Sequence, residues 1–291
     1  TPEHVEYMAV PRMIALAEVN WSRENRIDWE GFTRKLEQHF IRLDFLDVNY
    51  CDAVYMVEIK PEYDAGNKTM MIGMQTEMPN AEIRYTLDGT APGLESKVYD
   101  TLFELRESAV VKAQAFVDEQ PRGEFSEREF NFHKGIGKSL RYTDKYSDRY
   151  SAGGDMGLLN GIKGSVYYGD GRWQGFSGDD VEVVIDLGEV MPINRISVSF
   201  LQNMTTWIFL PASVNFYTAK KEGDDFEKAA TFLNAVPMEE KEAMVKEFGR
   251  MFTGLEARYI KLHAANPGPC PAWHPGAGSP SWVFMDEIIV E

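Results

Sequence analysis

With 291 residues, the chain is long enough for two or three compact domains, each with its own core. A formal net charge of −16, with no Lys/Arg-rich run to offset it, excludes nucleic acid as the expected partner. No apolar stretch reaches the roughly 20 residues needed to span a bilayer, and Cys51 and Cys270 lie too far apart to suggest a disulfide framework or a cysteine metal site, so two free thiols are expected.

From residue 3 to residue 45 the apolar spacing is helical, broken at Ser22-Arg23-Glu24-Asn25, which predicts a helix pair. Pro11 should kink or restart the first helix, Ser22 stands where it should end, and Asp28 is placed to cap the second. Trp29, Phe32, Leu36, Phe40 and Leu43 share one stripe, and Met8, Met13, Ile14, Leu16 and Val19 make the first helix apolar as well. A pair this short cannot bury both stripes on itself. It needs a further surface, which could be a domain upstream, the sheet of the next domain, or a second copy of the chain. Because Thr1 stands in place of an initiator Met, the polypeptide is expected to continue upstream, and any export signal with it.

Beyond residue 54 the texture changes to short alternating runs at 55–59, 70–75, 82–87, 110–116 and 129–132, punctuated by Pro61, Gly66, Pro79, Asp88-Gly89 and Pro92. This predicts a small immunoglobulin- or fibronectin-like β-sandwich over 51–133. Residues 134–153 are polar and aperiodic, as a linker would be. Alternation resumes over 154–291, with strands expected at 181–187, 195–201, 213–218, 258–264 and 283–290, which predicts a second, larger sandwich. Within it, 237–248 has the charge-rich pattern of a solvated helix. The fold class is therefore mainly β, with a helical N-terminus.

Several motifs carry a resemblance to known families. The run from Glu6 through Val10-Pro11-Arg12-Met13 to Asn20-Trp21-Ser22, with Asp28-Trp29-Glu30-Gly31-Phe32 and His39-Phe40-Ile41-Arg42-Leu43, resembles the closing helices of the barrel in glycoside hydrolase family twenty, the β-N-acetylhexosaminidases. Ile83-Arg84-Tyr85-Thr86-Leu87-Asp88-Gly89-Thr90-Ala91-Pro92 and Val110-Val111-Lys112-Ala113-Gln114-Ala115-Phe116 resemble the small C-terminal sandwich that follows such barrels. Gly157-Leu158-Leu159-Asn160-Gly161, Trp173-Gln174-Gly175-Phe176, Ile185-Asp186-Leu187-Gly188 and Arg258-Tyr259-Ile260-Lys261-Leu262 resemble a discoidin or coagulation-factor type C module, a galactose-binding-like jelly roll.

The resemblance implies that residues 1–50 are the terminal helices of a TIM barrel, followed by the small sandwich, the linker and the jelly roll. It implies a parent that removes terminal N-acetylhexosamine from glycans, the substrate's own acetamido group acting as nucleophile beside an Asp-Glu pair. That pair would lie upstream, so no catalytic residue is expected here and the chain alone should be inactive. A periplasmic, cell-surface or extracellular location is implied in the same way.

Adjacent acids occur at Asp179-Asp180, Asp224-Asp225, Glu239-Glu240 and Asp286-Glu287. The first three have the setting of solvated turns, where a carboxyl pKa is rarely perturbed. Asp286-Glu287 sits in the expected last strand, where related modules hold a structural calcium; Glu287 with Asn160 and the backbone of 158–164 would be its ligands. No other cofactor is called for, and the five histidines show no metal-ligand spacing. Carbohydrate sites need aromatic faces rimmed by polar groups. Trp273 and His274, in the Gly/Pro-rich stretch 270–282, make the best candidate surface, with Tyr168 and Trp207 joining if their loops converge. Three roles stay open on these residues: an accessory region that docks on its barrel or on glycan, an independent lectin-like module, or a structural tail that oligomerises through the helix pair.

Overall fold

The computed structural model describes every residue except 24, 26, 27 and 65–68, and the side chains of 62 and 63; the readings on Glu24 and on the Gly66 turn lie outside the described residues. The chain forms two compact units: Thr1–Glu62 with Met71–Leu105 and Ala109–Glu129, and Tyr63–Met70 with Arg106–Ser108 and Phe130–Glu291.

Helices α1 (Pro2–Ala9), α2 (Arg12–Trp21) and α3 (Trp29–Phe45) open the first unit. The break at Val10-Pro11 divides the expected first helix in two, as a proline without an amide hydrogen requires. Ser22 closes α2, and the Asp28 carboxylate caps α3 by accepting the Gly31 amide. α3 buries Phe32, Thr33, Leu36 and Phe40. Phe40 stacks on Tyr50 at 4.5 Å and tilts against Tyr55 at 5.8 Å. The Trp29 indole donates to Glu77 at 2.6 Å, and the Asn80 side chain donates to Glu37 at 3.0 Å. The face of α3 is thus covered within this unit, by segments that lead into the small sandwich. α1 and α2 bury nothing, and Val5, Met8, Met13, Leu16, Val19 and Trp21 are exposed.

The strands that follow are β1 (Glu58–Asp64), β2 (Thr69–Gln75), β3 (Glu82–Thr86), β4 (Lys97–Val98), β5 (Phe103–Leu105), β6 (Ala109–Val117) and β7 (Gln120–Phe130). They make two sheets, β1-β2-β5 and β4-β3-β6-β7. The period of two is direct: Met70, Ile72 and Met74 of β2, Ile83 and Tyr85 of β3, and Val111, Ala113 and Ala115 of β6 are buried on alternate positions. Two boundaries differ from expectation. Residues 53–55 form a 3₁₀ turn, so β1 begins at Glu58. β7 covers 120–130, where a strand was expected only over 129–132; it passes through Gly123 at a positive φ of 64°, which glycine adopts without strain.

In the second unit, β8 (Ser139–Tyr142), β9 (Gln174–Ser177), β10 (Val181–Gln202), β11 (Ser213–Ala219), β12 (Glu227–Leu233), β13 (Met244–Ala265) and β14 (Trp282–Val290) build one continuous sheet system. β10 and β13 are antiparallel along their whole length, with register shifts between Asp186 and Met191 and between Ile193 and Arg195. Before the shifts β10 lies between β8 and β13; after them it lies between β13 and β14. Two long strands therefore pass from one layer to the other, which makes a jelly roll of a single sheet. Val183, Ile185, Val214, Phe216, Ile260 and Leu262 of one layer share a core with Ile196, Val198, Phe200, Val283, Met285 and Ile288 of the other. The Ile185–Gly188 and Arg258–Leu262 motifs turn out to be partners: Ile185 sits opposite Ile260, and Arg258 grips both oxygens of Asp186 at 2.8 and 3.0 Å. That grip holds the Asp186 carboxyl down at about 2, helped by the Gly188 amide against a burial cost.

Two expectations are corrected here. Residues 134–153 are not a free connector: β8 pairs with β10, and Tyr146 enters the core. Residues 237–248 form no helix. β13 starts at Met244 and Phe248 is buried opposite Val198, so the charges of Lys246 and Glu247 flank a strand. A charged residue on the wet side of a strand and one on a solvated helix look alike over so short a window. No described helix is long and apolar enough to cross a membrane.

Candidate functional site

A second, smaller core lies on the outer side of the β10–β14 layer: Trp173, Leu201, Ile208 and Phe284 are fully buried, with Tyr150, Tyr168 and Trp282 partly buried against them. Trp173 anchors it. Its indole donates to the Ser165 carbonyl at 3.0 Å, and its ring lies so close to Gly164 that a Cβ there would meet it at 2.2 Å. The Tyr167–Tyr168 loop folds around Asp170, whose carboxylate accepts from the Ser165 amide at 2.7 Å, the Ser165 hydroxyl at 2.8 Å and the Arg172 amide at 2.9 Å.

Above this core opens a pocket of about 320 Å³, at the small end of ligand-binding cavities, which run from roughly 300 Å³ upward. Tyr168, Trp207 and Trp282 give it aromatic walls, Thr205 and Thr206 give it hydroxyls, and Arg149 stands at its edge. The Trp207 loop is stitched to β14 by main-chain bonds from Phe209 to Trp282 and from Trp282 to Trp207, both 2.9 Å. Trp207 itself adopts φ 63°, rare for a bulky residue, at the end of the 3₁₀ turn Met204–Thr206, and remains 45% exposed. An aromatic side chain held in solvent by a strained backbone is the kind of feature that marks binding sites.

The four expected sugar-contacting residues separate. Tyr168 and Trp207 meet in the pocket. His274 is buried beneath Trp207: Nε2 donates to the Met204 carbonyl at 2.8 Å, and Nδ1 accepts the Gly276 amide at 3.0 Å. With both ring nitrogens engaged, His274 positions the Trp207 loop and has nothing left for a ligand. Trp273 packs edge-on against His274 at 5.7 Å and is exposed, outside the pocket lining. Sequence reading missed Arg149, Tyr150 and the threonines; they sit in unremarkable polar stretches, and only Trp282 carried an aromatic signal.

The Asp286-Glu287 pair is a different kind of site. Both are fully buried. Glu287 accepts from His133 Nε2 at 2.6 Å on one oxygen, and from the Asn160 and Ile162 amides at 3.1 and 3.3 Å on the other. His133 Nδ1 accepts in turn from the Gly135 and Val290 amides, at 3.1 and 3.3 Å. The Asn160 side chain turns its oxygen to the Ile162 amide instead. A calcium ion wants six to eight oxygens; here the carboxylate faces nitrogen donors, and the donor set does not fit. Asp286 accepts the Gly164 amide at 2.9 Å. Burial holds its carboxyl well above the usual carboxylate range, with the Glu287 charge adding to it against the pull of that amide. Among the described residues no group of three or more acids, histidines or cysteines is placed to hold a metal.

Residues 63–127 match the family model of the chitobiase/beta-hexosaminidase C-terminal domain. The resemblance read from the motifs at Ile83 and Val110 is borne out. A beta-hexosaminidase of Porphyromonas gingivalis is 29% identical over 119 residues, which cover 38% of this chain and 14% of that protein. The chain thus matches a small part of that relative. Among solved structures, chitosan-binding module 1 of a Paenibacillus chitosanase/glucanase is similar at a TM-score of 0.34 and 12% identity, covering 55% of this chain and 99% of that one. A Streptococcus pneumoniae fucose-binding module is similar at 0.35 and 12%, covering 55% and 97%.

Proposed function

We propose that this chain is a non-catalytic accessory region of a β-N-acetylhexosaminidase, acting outside the cytoplasm, and that its jelly roll holds glycan in the pocket between Tyr168, Trp207 and Trp282. The observation that carries the binding role is the meeting of aromatic faces and hydroxyls in one open pocket. The C–H face of a sugar ring stacks on an aromatic side chain, while its hydroxyls need hydrogen-bonding partners at the rim. Calorimetry of the chain with N-acetylglucosamine, galactose and chitin fragments tests it: we expect measurable heat that Trp207→Ala removes. Silence from all of these sugars and from their acidic analogues overturns the reading. Turnover of a chromogenic N-acetylglucosaminide, abolished by a single acid substitution, would overturn the non-catalytic role.

The uncovered apolar faces of α1 and α2 favour an upstream catalytic barrel as their partner. Met13, Ile14, Ala17 and Trp21 border an open groove of about 380 Å³ that no described segment fills, and apolar surface of this kind marks contact sites. In a protein extended upstream, Trp21 should be shielded from acrylamide quenching. If the chain instead sediments as a dimer that Trp21→Asp dissociates, the partner is a second copy and the tail is an oligomerisation element.

A further inference from the structure

We propose that the pocket selects sugars that carry a carboxylate, the uronic acids, and that Arg149 is the residue that recognises it. The inference rests on the glycan reading above and deepens it. Acidic residues outnumber basic ones in this chain by 46 to 30, yet the pocket lining contains a single charged side chain and it is a cation. Three other arginines of the same unit are spent on acids, Arg195 on Glu247 and Glu291, Arg258 on Asp186 and Arg141 on Glu222, and Arg172 donates to the Lys163 carbonyl. Arg149 makes no ion pair or side-chain hydrogen bond with any described residue.

An aromatic neighbour orients its side chain. The guanidinium lies over the Tyr150 ring, 5.3 Å from the centroid. Tyr150 is itself wedged against Phe284 at 4.7 Å, Trp282 at 5.5 Å and Tyr168 at 6.3 Å. A guanidinium held over the face of a fixed ring keeps N–H groups free in its own plane, where a carboxylate accepts two of them side by side. A neutral hydroxyl can use only part of that fork. The Thr205 and Thr206 hydroxyls are turned partly inward, donating to Asn203 Oδ1 at 2.8 Å and to the Asn203 carbonyl at 3.1 Å, and keep acceptor capacity for sugar hydroxyls. The net charge of −16 opposes an anionic ligand at long range. Salt screens that field beyond about 8 Å, so a carboxylate in contact with Arg149 is governed by the near cation.

The test titrates the whole chain with two matched pairs, methyl glucuronide against methyl glucoside and methyl galacturonide against methyl galactoside, by calorimetry or NMR shift perturbation. At least one uronide should bind tenfold or more tightly than its neutral partner. Arg149→Gln should erase the preference of uronide over neutral partner, and Arg149→Lys should keep part of it. Neutral sugars bound as tightly as their uronides, or a preference that survives Arg149→Gln, would sink this inference and leave glycan binding intact. If neither uronides nor neutral sugars bind, the pocket reading itself fails.

Discussion

The jelly roll offers two places where polar chemistry gathers, and they are opposites. Glu287 is fully buried, and among the described residues its partners are nitrogen donors supplied by the chain itself, within 3.3 Å. At the aromatic pocket the one cation has no acid, and Trp207 is held out toward water. The first is closed and belongs to stability; the second is open and belongs to recognition. The difference teaches that a cluster of chemistry-bearing residues is not by itself a site. What matters is whether the fold has already satisfied them.

The comparison breaks most sharply at His133. Replacing it by Ala strips a buried carboxylate of its shortest partner, and removing one member of a buried pair costs about 3–5 kcal/mol. Thermal and urea melts should register that loss, with sugar binding unchanged in the protein that remains folded. A destabilisation below about 1 kcal/mol would mean that the Asn160 and Ile162 amides carry Glu287 unaided.

Asp286 sharpens the same side through pH. Its folded carboxyl sits above its unfolded value, so between the two the folded state binds the extra proton. Stability must then fall as pH rises from about 4 toward the folded value, by at most about 1.4 kcal/mol per pH unit from this one group. Asp286→Asn keeps an acceptor for the Gly164 amide and removes the titration. Its stability relative to the parent should therefore grow with pH over that window; a difference that is flat from pH 4 to 8 would contradict the assignment.

On the open side, Gly276→Ala places a Cβ 2.5 Å from the Trp207 indole nitrogen. The ring must move. We expect a stability loss of about 1 kcal/mol and a several-fold loss of sugar affinity, read by calorimetry beside the melt. Unchanged affinity would show that the Trp207 pose is not what the ligand uses. The smallest effect is none at all: since the Glu287 site faces donors, a chelator should leave the melting temperature where it was. A melting temperature lowered by EDTA and restored by calcium would reverse that reading.

Much of the architecture was legible because strand burial has a period of two. Val181, Val183 and Ile185 announce a half-buried strand wherever they occur. Asp28 announces a helix start for an equally local reason, the satisfaction of one amide two or three residues on. The stretch 237–248 failed because its only buried anchor, Phe248, comes at the very end, so charge outweighed alternation.

The candidate site was half legible. Tyr168 and Trp207 could be named as aromatic residues in loops, but Arg149 looks like any surface arginine until the fold sets it over Tyr150. Asn160 and Glu287 were expected as ligands of one calcium ion, and in the fold the Asn160 amide donates to the Glu287 carboxylate; a sequence records which residues are present but not whether an N–H or a C=O will point inward.

Composition, alternation and capping, which depend on neighbours a few residues away, were enough to establish a mainly β chain with a helical start and two sandwich segments. Which loops converge, which nitrogen each buried acid meets, and which cation is left without an acid depend on groups up to 154 residues apart, such as His133 and Glu287. Those were decided only when the long strands β10 and β13 folded the chain back on itself and β14 paired with β10 and β9.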